Sequence, residues 1–179
     1  MSSPLKVFIT GASSGIGLAL AADYARRGAI LGLVARRGDA LAAFQQSHPH
    51  TIVSIYCVDV RDAESLADSA AQFIAQHGLP DIVIANAGIS RGAVTGQGDL
   101  RAFREVMDIN YFGMVATFEP FAAAMVAEKR GTLVGIASVA SVRGLPGSGA
   151  YSASKSAALK YLEALRVEMR PHEIGRAHV

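Results

Sequence analysis

Thr10-Gly11-Ala12-Ser13-Ser14-Gly15-Ile16-Gly17 is the stretch that decides the fold. It leaves a short apolar run, Leu5–Thr10, and enters a helical segment, Gly15–Arg27, that stops at Gly28. Its glycines allow a tight turn and close approach of the backbone to a ligand. The helix that follows offers free N–H groups and a positive dipole end to a phosphate. The spacing is G-x-x-x-G-x-G, not the G-x-G-x-x-G of the general dinucleotide fingerprint. As a bare string it favours a nucleotide loop, with a structural turn as the alternative. Set between a strand and a helix, it reads as a pyrophosphate-binding loop.

The same strand-then-helix alternation continues along the chain. Strands are expected at Ala29–Ala35, Thr51–Val58, Asp81–Ala85 and Thr132–Ala137. Helices are expected at Gly38–Ser47, from an Asp62 cap to about His77, from about Asp99 through Lys129, and from about Ala150 to Arg170. The long helix carries possible interruptions near Asn110–Gly113 and at Pro120, and Pro171 opposes continuation of the last one. Repeated units of this kind imply an α/β, Rossmann-type, doubly wound parallel sheet of order 3-2-1-4-5. Ligands in such sheets bind beyond the carboxyl ends of the strands.

Composition narrows the class. A net charge of +2 gives no general case for nucleic acid or an anionic membrane. The chain's one cysteine, Cys57, rules out an internal disulfide, and its apolar surroundings predict a buried strand residue. The five histidines have no metal-ligand spacing, so no metal site is expected. No signal peptide opens the chain and no apolar run could cross a bilayer, so a soluble cytoplasmic protein is expected.

Three further strand ends carry chemistry. Strand two ends in Val34-Ala35-Arg36-Arg37, where an acidic residue would bind the ribose 2′-hydroxyl of NAD. Two guanidiniums suit a 2′-phosphate instead and favour NADP(H) over NAD(H), unless they are solvated loop charges. Asp59-Val60 after strand three sets a carboxylate within reach of an adenine amino group, although a plain turn also accounts for Asp59. Asn86-Ala87-Gly88 after strand four supplies a small polar floor. Tyr151 follows Ser138 by thirteen residues, and Lys155 lies one helical turn further on. A phenol is a weak acid, with an ordinary pKa of about 10, and a neighbouring ammonium favours its charged form. With a serine hydroxyl beside it, such a pair can pass a proton to or from a carbonyl or alcohol.

Taken in order, the Thr10–Gly17 loop, Asp59, Asn86-Ala-Gly88, Asn110, Ser138 and Tyr151-x-x-x-Lys155 resemble the short-chain dehydrogenase/reductase family, in its single-domain branch. Ala85 is a small departure, since many relatives have an asparagine there. The resemblance implies an oxidoreductase that interconverts an alcohol and a ketone or aldehyde by hydride transfer. Tyr151 would be its acid or base, and Ser138 would polarise the substrate oxygen. Lys155 would tune Tyr151 and bind the nicotinamide ribose. Asn110 would hold a water linking Lys155 to solvent. The cofactor contacts it implies are Thr10, Gly11, Ser13, Ser14, Gly15, Ile16, Gly17, Arg36, Arg37, Asp59, Val60, Asn86, Ala87, Gly88, Tyr151 and Lys155. It also implies a homodimer or homotetramer packed through the long helix and the Tyr151 helix. A non-catalytic dinucleotide-binding fragment or sensor is the alternative. The substrate determinants are expected in Gly88–Gly98 and Val142–Ser148.

The family continues well past the Tyr151 helix, with a sixth strand, a turn closing over the nicotinamide, a lid and a seventh strand. The dinucleotide-binding domain is therefore expected to span 1–172 in truncated form, with 173–179 a non-native tail. Ile174-Gly175-Arg176-Ala177-His178-Val179 matches the translation of a sequencing-library adapter, ATC GGA AGA GCA CAC GTC. Strand five would then be a bare sheet edge, and the chain alone would be poorly stable or aggregate.

Overall fold

The structure, a computed structural model, describes residues 3–92, 94, 96 and 100–178, with the backbone alone at 176–178. The expected helix start at Asp99 and much of the loop 88–98 lie outside the described residues.

The first half of the chain builds three strand-helix units. They are β1 (Lys6–Thr10), α1 (Gly15–Arg26), β2 (Ile30–Val34), α2 (Gly38–Ser47), β3 (Val53–Tyr56) and α3 (Ala63–His77). Asp62 caps α3 as expected, its carboxylate accepting from the Ser65 backbone N–H at 3.0 Å. Then come β4 (Ile82–Ala85), α4 (Leu100–Met107), a π turn (Asp108–Phe112), α5 (Gly113–Glu128), β5 (Thr132–Gly135), α6 (Gly149–Glu168) and β6 (Gly175–His178). The anticipated break near Asn110 is this π turn. Pro120 sits inside α5 without ending it.

All strands pair in parallel, in the order β3-β2-β1-β4-β5-β6. The period-two alternation of side chains divides the core into two layers. On β1, Phe8 faces one layer with Phe73 of α3, Phe118 and Phe121 of α5 and Leu162 of α6. Val7 and Ile9 face the other, with Ala21 of α1 and Leu41 and Phe44 of α2. Burying both sheet faces is what a parallel sheet requires. It also sends every strand's carboxyl end to one side of the molecule.

Two expectations are corrected here. First, β5 is not an edge, because β6 pairs along it from Thr132↔Gly175 to Gly135↔His178. The Gly175 N–H bonds to the Gly131 carbonyl at 2.9 Å, and Ile174 is buried in the same layer as Leu162 and Leu165. Parallel pairing is made by backbone groups, so a segment without apolar alternation can still extend a sheet. Second, Cys57 is exposed, not buried. β3 ends one residue earlier, and the thiol donates to the Arg36 carbonyl at 3.2 Å.

If residues 174–178 are part of the folded unit, Ile174→Ala destabilises the chain by about 2–4 kcal/mol, since it leaves a cavity under α6. Urea unfolding followed by circular dichroism measures this, and an unchanged midpoint would mean that the tail does not pack.

Candidate active site

A cavity of about 730 Å³ opens at the carboxyl ends of β1 to β5. Its first wall is the β1–α1 turn: Gly11, Ser13, Ser14, Gly15 and Ile16. Ser14 precedes α1 in extended conformation, its hydroxyl makes no capping bond, and the first turn holds no acidic residue. The α1 N–H groups and dipole are thus left to a ligand. Gly11 has φ +69°, and a Cβ there would lie 2.7 Å from Ala87 Cα. A Cβ on Gly17 would run into the Gly11 carbonyl and the Asn86 amide. These two glycines let the loop lie flat against the end of β4.

Thr10, Gly17 and Asn110 were expected to be site residues, yet none of them lines the cavity. Each holds something that does. Thr10 is fully buried, and its hydroxyl accepts from the Asn86 and Ala87 backbone N–H groups at 3.3 and 3.4 Å. Asn86 Nδ2 returns two bonds, to the Thr10 carbonyl at 3.1 Å and the Gly11 carbonyl at 3.2 Å. The loop and the β4 end are therefore one hydrogen-bonded unit, not two neighbouring turns.

The second wall is basic and lies beyond β2 and β3. Arg36 and Arg37 both line it, with Asp59 and Val60. Arg37 Nη2 donates to the Ser13 carbonyl at 3.3 Å and to Ser13 Oγ at 3.2 Å, so its guanidinium lies over the glycine loop. Arg36 Nη1 is 3.9 Å from Asp59 Oδ2. Asp59 is taken mainly by Arg61, whose Nη2 reaches Oδ2 at 2.6 Å and whose Nε lies 3.1 Å from both oxygens. Those bonds hold the Asp59 carboxyl below its ordinary range. Sequence reading missed Arg61, because its role appears only once the turn brings it back onto Asp59.

The third wall carries Ser138, Tyr151 and Lys155, together with Gly88. Lys155 is 5 % exposed, and its ammonium donates to the Ile136 carbonyl just past β5 at 2.7 Å. Burial pushes its pKa down from the ordinary lysine value. The Lys155 nitrogen lies 6.0 Å from the centre of the Tyr151 ring. Ser138, two residues beyond Ile136, is extended, and its Oγ accepts from the Ala140 N–H at 3.2 Å. That bond uses a lone pair and leaves the hydroxyl proton available for donation. Ser156 of α6 donates to the Ser141 carbonyl at 2.7 Å, which fastens the Ser138 loop to the helix bearing Tyr151.

Asn110 lies under this wall in the π turn, where π turns often mark functional sites. Its Oδ1 accepts from the Ile89 N–H at 2.8 Å, while Nδ2 donates to the Ile89 carbonyl at 2.9 Å and to Ser154 Oγ at 3.0 Å. Ser154 in turn donates to the Tyr151 carbonyl at 2.8 Å. A Cβ on Gly88 would lie 3.3 Å from Asn110 Oδ1 and 3.8 Å from Lys155 Nζ. One buried amide thus joins the β4 loop to the helix of Tyr151.

Known proteins resemble this chain in sequence and fold. The family model for the short chain dehydrogenase matches residues 6–178. An uncharacterized oxidoreductase of Myxococcus xanthus is 37 % identical over 164 residues, covering 90 % of this chain and 65 % of its own. Among solved structures, a metagenomic short-chain oxidoreductase in complex with NADP superimposes with a TM-score of 0.91 at 27 % identity, covering 99 % of this chain and 80 % of that one. NAD+-bound xylitol dehydrogenase gives a TM-score of 0.91 at 26 % identity, covering 97 % and 68 %. The chain spans about half to two thirds of the length of the curated relatives it matches. On the family match and the shared fold, the chain belongs to the short-chain dehydrogenase family.

Proposed function

We propose that this chain carries the dinucleotide site and the proton-transfer residues of an NADP(H)-dependent oxidoreductase that interconverts an alcohol and a ketone or aldehyde. One observation carries the reading: Ser138, Tyr151 and Lys155 open onto the same cavity as the glycine loop and two arginines. A non-catalytic dinucleotide sensor has no use for that convergence.

The cavity fits a phosphorylated dinucleotide on its own features. The α1 amides and the close-packed Gly11 suit a pyrophosphate, and Arg36 and Arg37 suit a 2′-phosphate. Asp59 and Val60 would border the adenine, and Asn86, Ala87 and Gly88 the nicotinamide ribose, within reach of Lys155. The nicotinamide supplies hydride chemistry when bound. The protein's own part is the proton. Ser138 donates to the substrate oxygen and orients it. Tyr151 gives that oxygen its proton in reduction and removes it in oxidation. Lys155 is held beside the Tyr151 ring, its nitrogen 6.0 Å from the ring centre. Asn110 positions Ile89 and, through Ser154, the Tyr151 turn; a water bound at the π turn would link Lys155 to solvent.

Among the described residues no helix is long and apolar enough to cross a membrane, and we take the protein to act in the cytoplasm on a small molecule. Exposed apolar residues on the π turn and α6, Phe112 and Val167, together with Ala153, support pairing of copies through these helices.

Tyr151→Phe should lower NADPH-dependent turnover of ketones or aldehydes by about 10²–10⁴-fold with NADPH binding nearly unchanged. Near-normal turnover in the variant would show that another group is the acid. Arg36→Ala should weaken NADPH about tenfold and NADH little, as for a lost charge-assisted contact. Equal loss for both in fluorescence titration would remove the phosphate role.

Lys155 also ties function to stability. Its folded pKa is depressed, so the unfolded chain binds its proton more tightly. Its contribution is therefore most favourable above the ordinary lysine value, about 10.4, and declines as pH falls through the depressed one. Wild type should gain stability on Lys155→Met as pH rises toward that ordinary value, while the variant is inactive at every pH. Parallel denaturation curves from neutral to alkaline pH test this, and a constant gap would contradict it.

A further inference from the structure

Arg36 and Asp59 both line the cavity, and their charges oppose one another toward a bound phosphate. Arg36 would attract a 2′-phosphate. Asp59, 3.9 Å from Arg36, would repel it and compete for the same guanidinium. The arrangement is workable because Asp59 is engaged elsewhere. Arg61 holds it with four bonds: backbone N–H to Oδ1 at 3.0 Å, Nε to both oxygens at 3.1 Å, and Nη2 to Oδ2 at 2.6 Å. Arg61 itself does not line the cavity. It is steadied from behind by the charges of Glu105 and Asp108, and Glu105 also pairs with Arg91 at 2.8 Å.

We propose that Arg61 is a positioning residue that sets selectivity for the phosphorylated dinucleotide: by occupying Asp59 it leaves Arg36 free for the 2′-phosphate and removes a repelling charge from beside it. The inference rests on the reading of the cavity as an NADP(H) site and adds a residue outside the cavity wall to its specificity. The depressed pKa of Asp59, caused first by Arg61 and only last by Arg36, agrees with this division of partners. In a variant lacking the Arg61 side chain, the carboxylate keeps only the backbone N–H bond and draws Arg36 inward. NADH, with no phosphate there, is indifferent to the change or gains a carboxylate acceptor for its 2′-hydroxyl.

The test is a cycle of dissociation constants for NADPH and NADH, read from the fluorescence of the reduced nicotinamide. The quantity compared is the preference, Kd for NADH divided by Kd for NADPH. Any equal loss of adenine contacts or of folded protein cancels in that ratio. Arg61→Ala should lower the preference about fivefold, the scale of one unit-charge interaction at this distance in a solvated site. Arg61→Lys, which keeps the charge, should retain most of it. Asp59→Asn added to Arg61→Ala should restore the preference to near the wild-type value. An unchanged ratio in Arg61→Ala, or a lowered one that Asp59→Asn leaves low, would overturn the role of Arg61 while the NADP(H) reading stands. A wild type with no preference for NADPH would overturn that reading and the inference together.

Discussion

The bond from the Lys155 ammonium to the Ile136 carbonyl, at 2.7 Å, is the contact on which the Tyr151 side of the cavity depends. It fixes a helix residue to the end of a strand at a point where water is largely excluded. An ammonium in that position is destabilised by the loss of its hydration, and one carbonyl offsets only part of that loss. Few purely structural reasons exist to keep a lysine there. Its value lies in what it faces: the Tyr151 ring one helical turn away, the Ser138 loop two residues beyond Ile136, and Gly88 at the end of β4. A charge that weakens the fold locally is thus kept beside the phenol that serves proton transfer in the proposed reaction.

The remaining contacts hold three strand ends in register around that charge. Asn86 and Thr10 lock the glycine loop to β4. Asn110 locks the segment after β4 to α6 through Ile89 and Ser154. Ser156 locks the loop after β5 to the same helix. Most of these are side chain to backbone bonds, in which a buried amide or hydroxyl satisfies main-chain groups that strand ladders leave open. The site is therefore built less by the strands than by the polar residues just beyond them.

Much of this was legible in the sequence because it is local. The loop Thr10–Gly17 announces itself by glycine spacing, and Tyr151 and Lys155 by helical period. Apolar runs separated by helix caps give the strands, and the crossover rules then order them. What was not legible is relational. Cys57 reads as core from its apolar neighbours, yet β3 ends at Tyr56 and the thiol turns outward. β6 carries no strand pattern, since it is defined by backbone pairing to β5 and by the burial of Ile174. The π turn could be anticipated as an interruption but not as an insertion that aims Asn110 inward. Arg61 reads as an ordinary charge at the start of a helix until its guanidinium is seen on Asp59.

These two kinds of information divide the cavity unevenly. The side proposed for the adenosine is closed by loops after β1, β2 and β3, all packed against helices within the first half of the chain. The side carrying Ser138 and Tyr151 is bounded by loops after β4 and β5, where Val139 and Val142 are 86 % and 85 % exposed. Two apolar side chains this exposed leave the loop after β5 with uncovered apolar surface. In the proposed reaction, binding of the dinucleotide and turnover are thus separable. The first would draw on contacts such as Arg37 on Ser13 and Arg61 on Asp59. The second would need water excluded from Tyr151, which strengthens the electrostatic interactions that assist proton transfer.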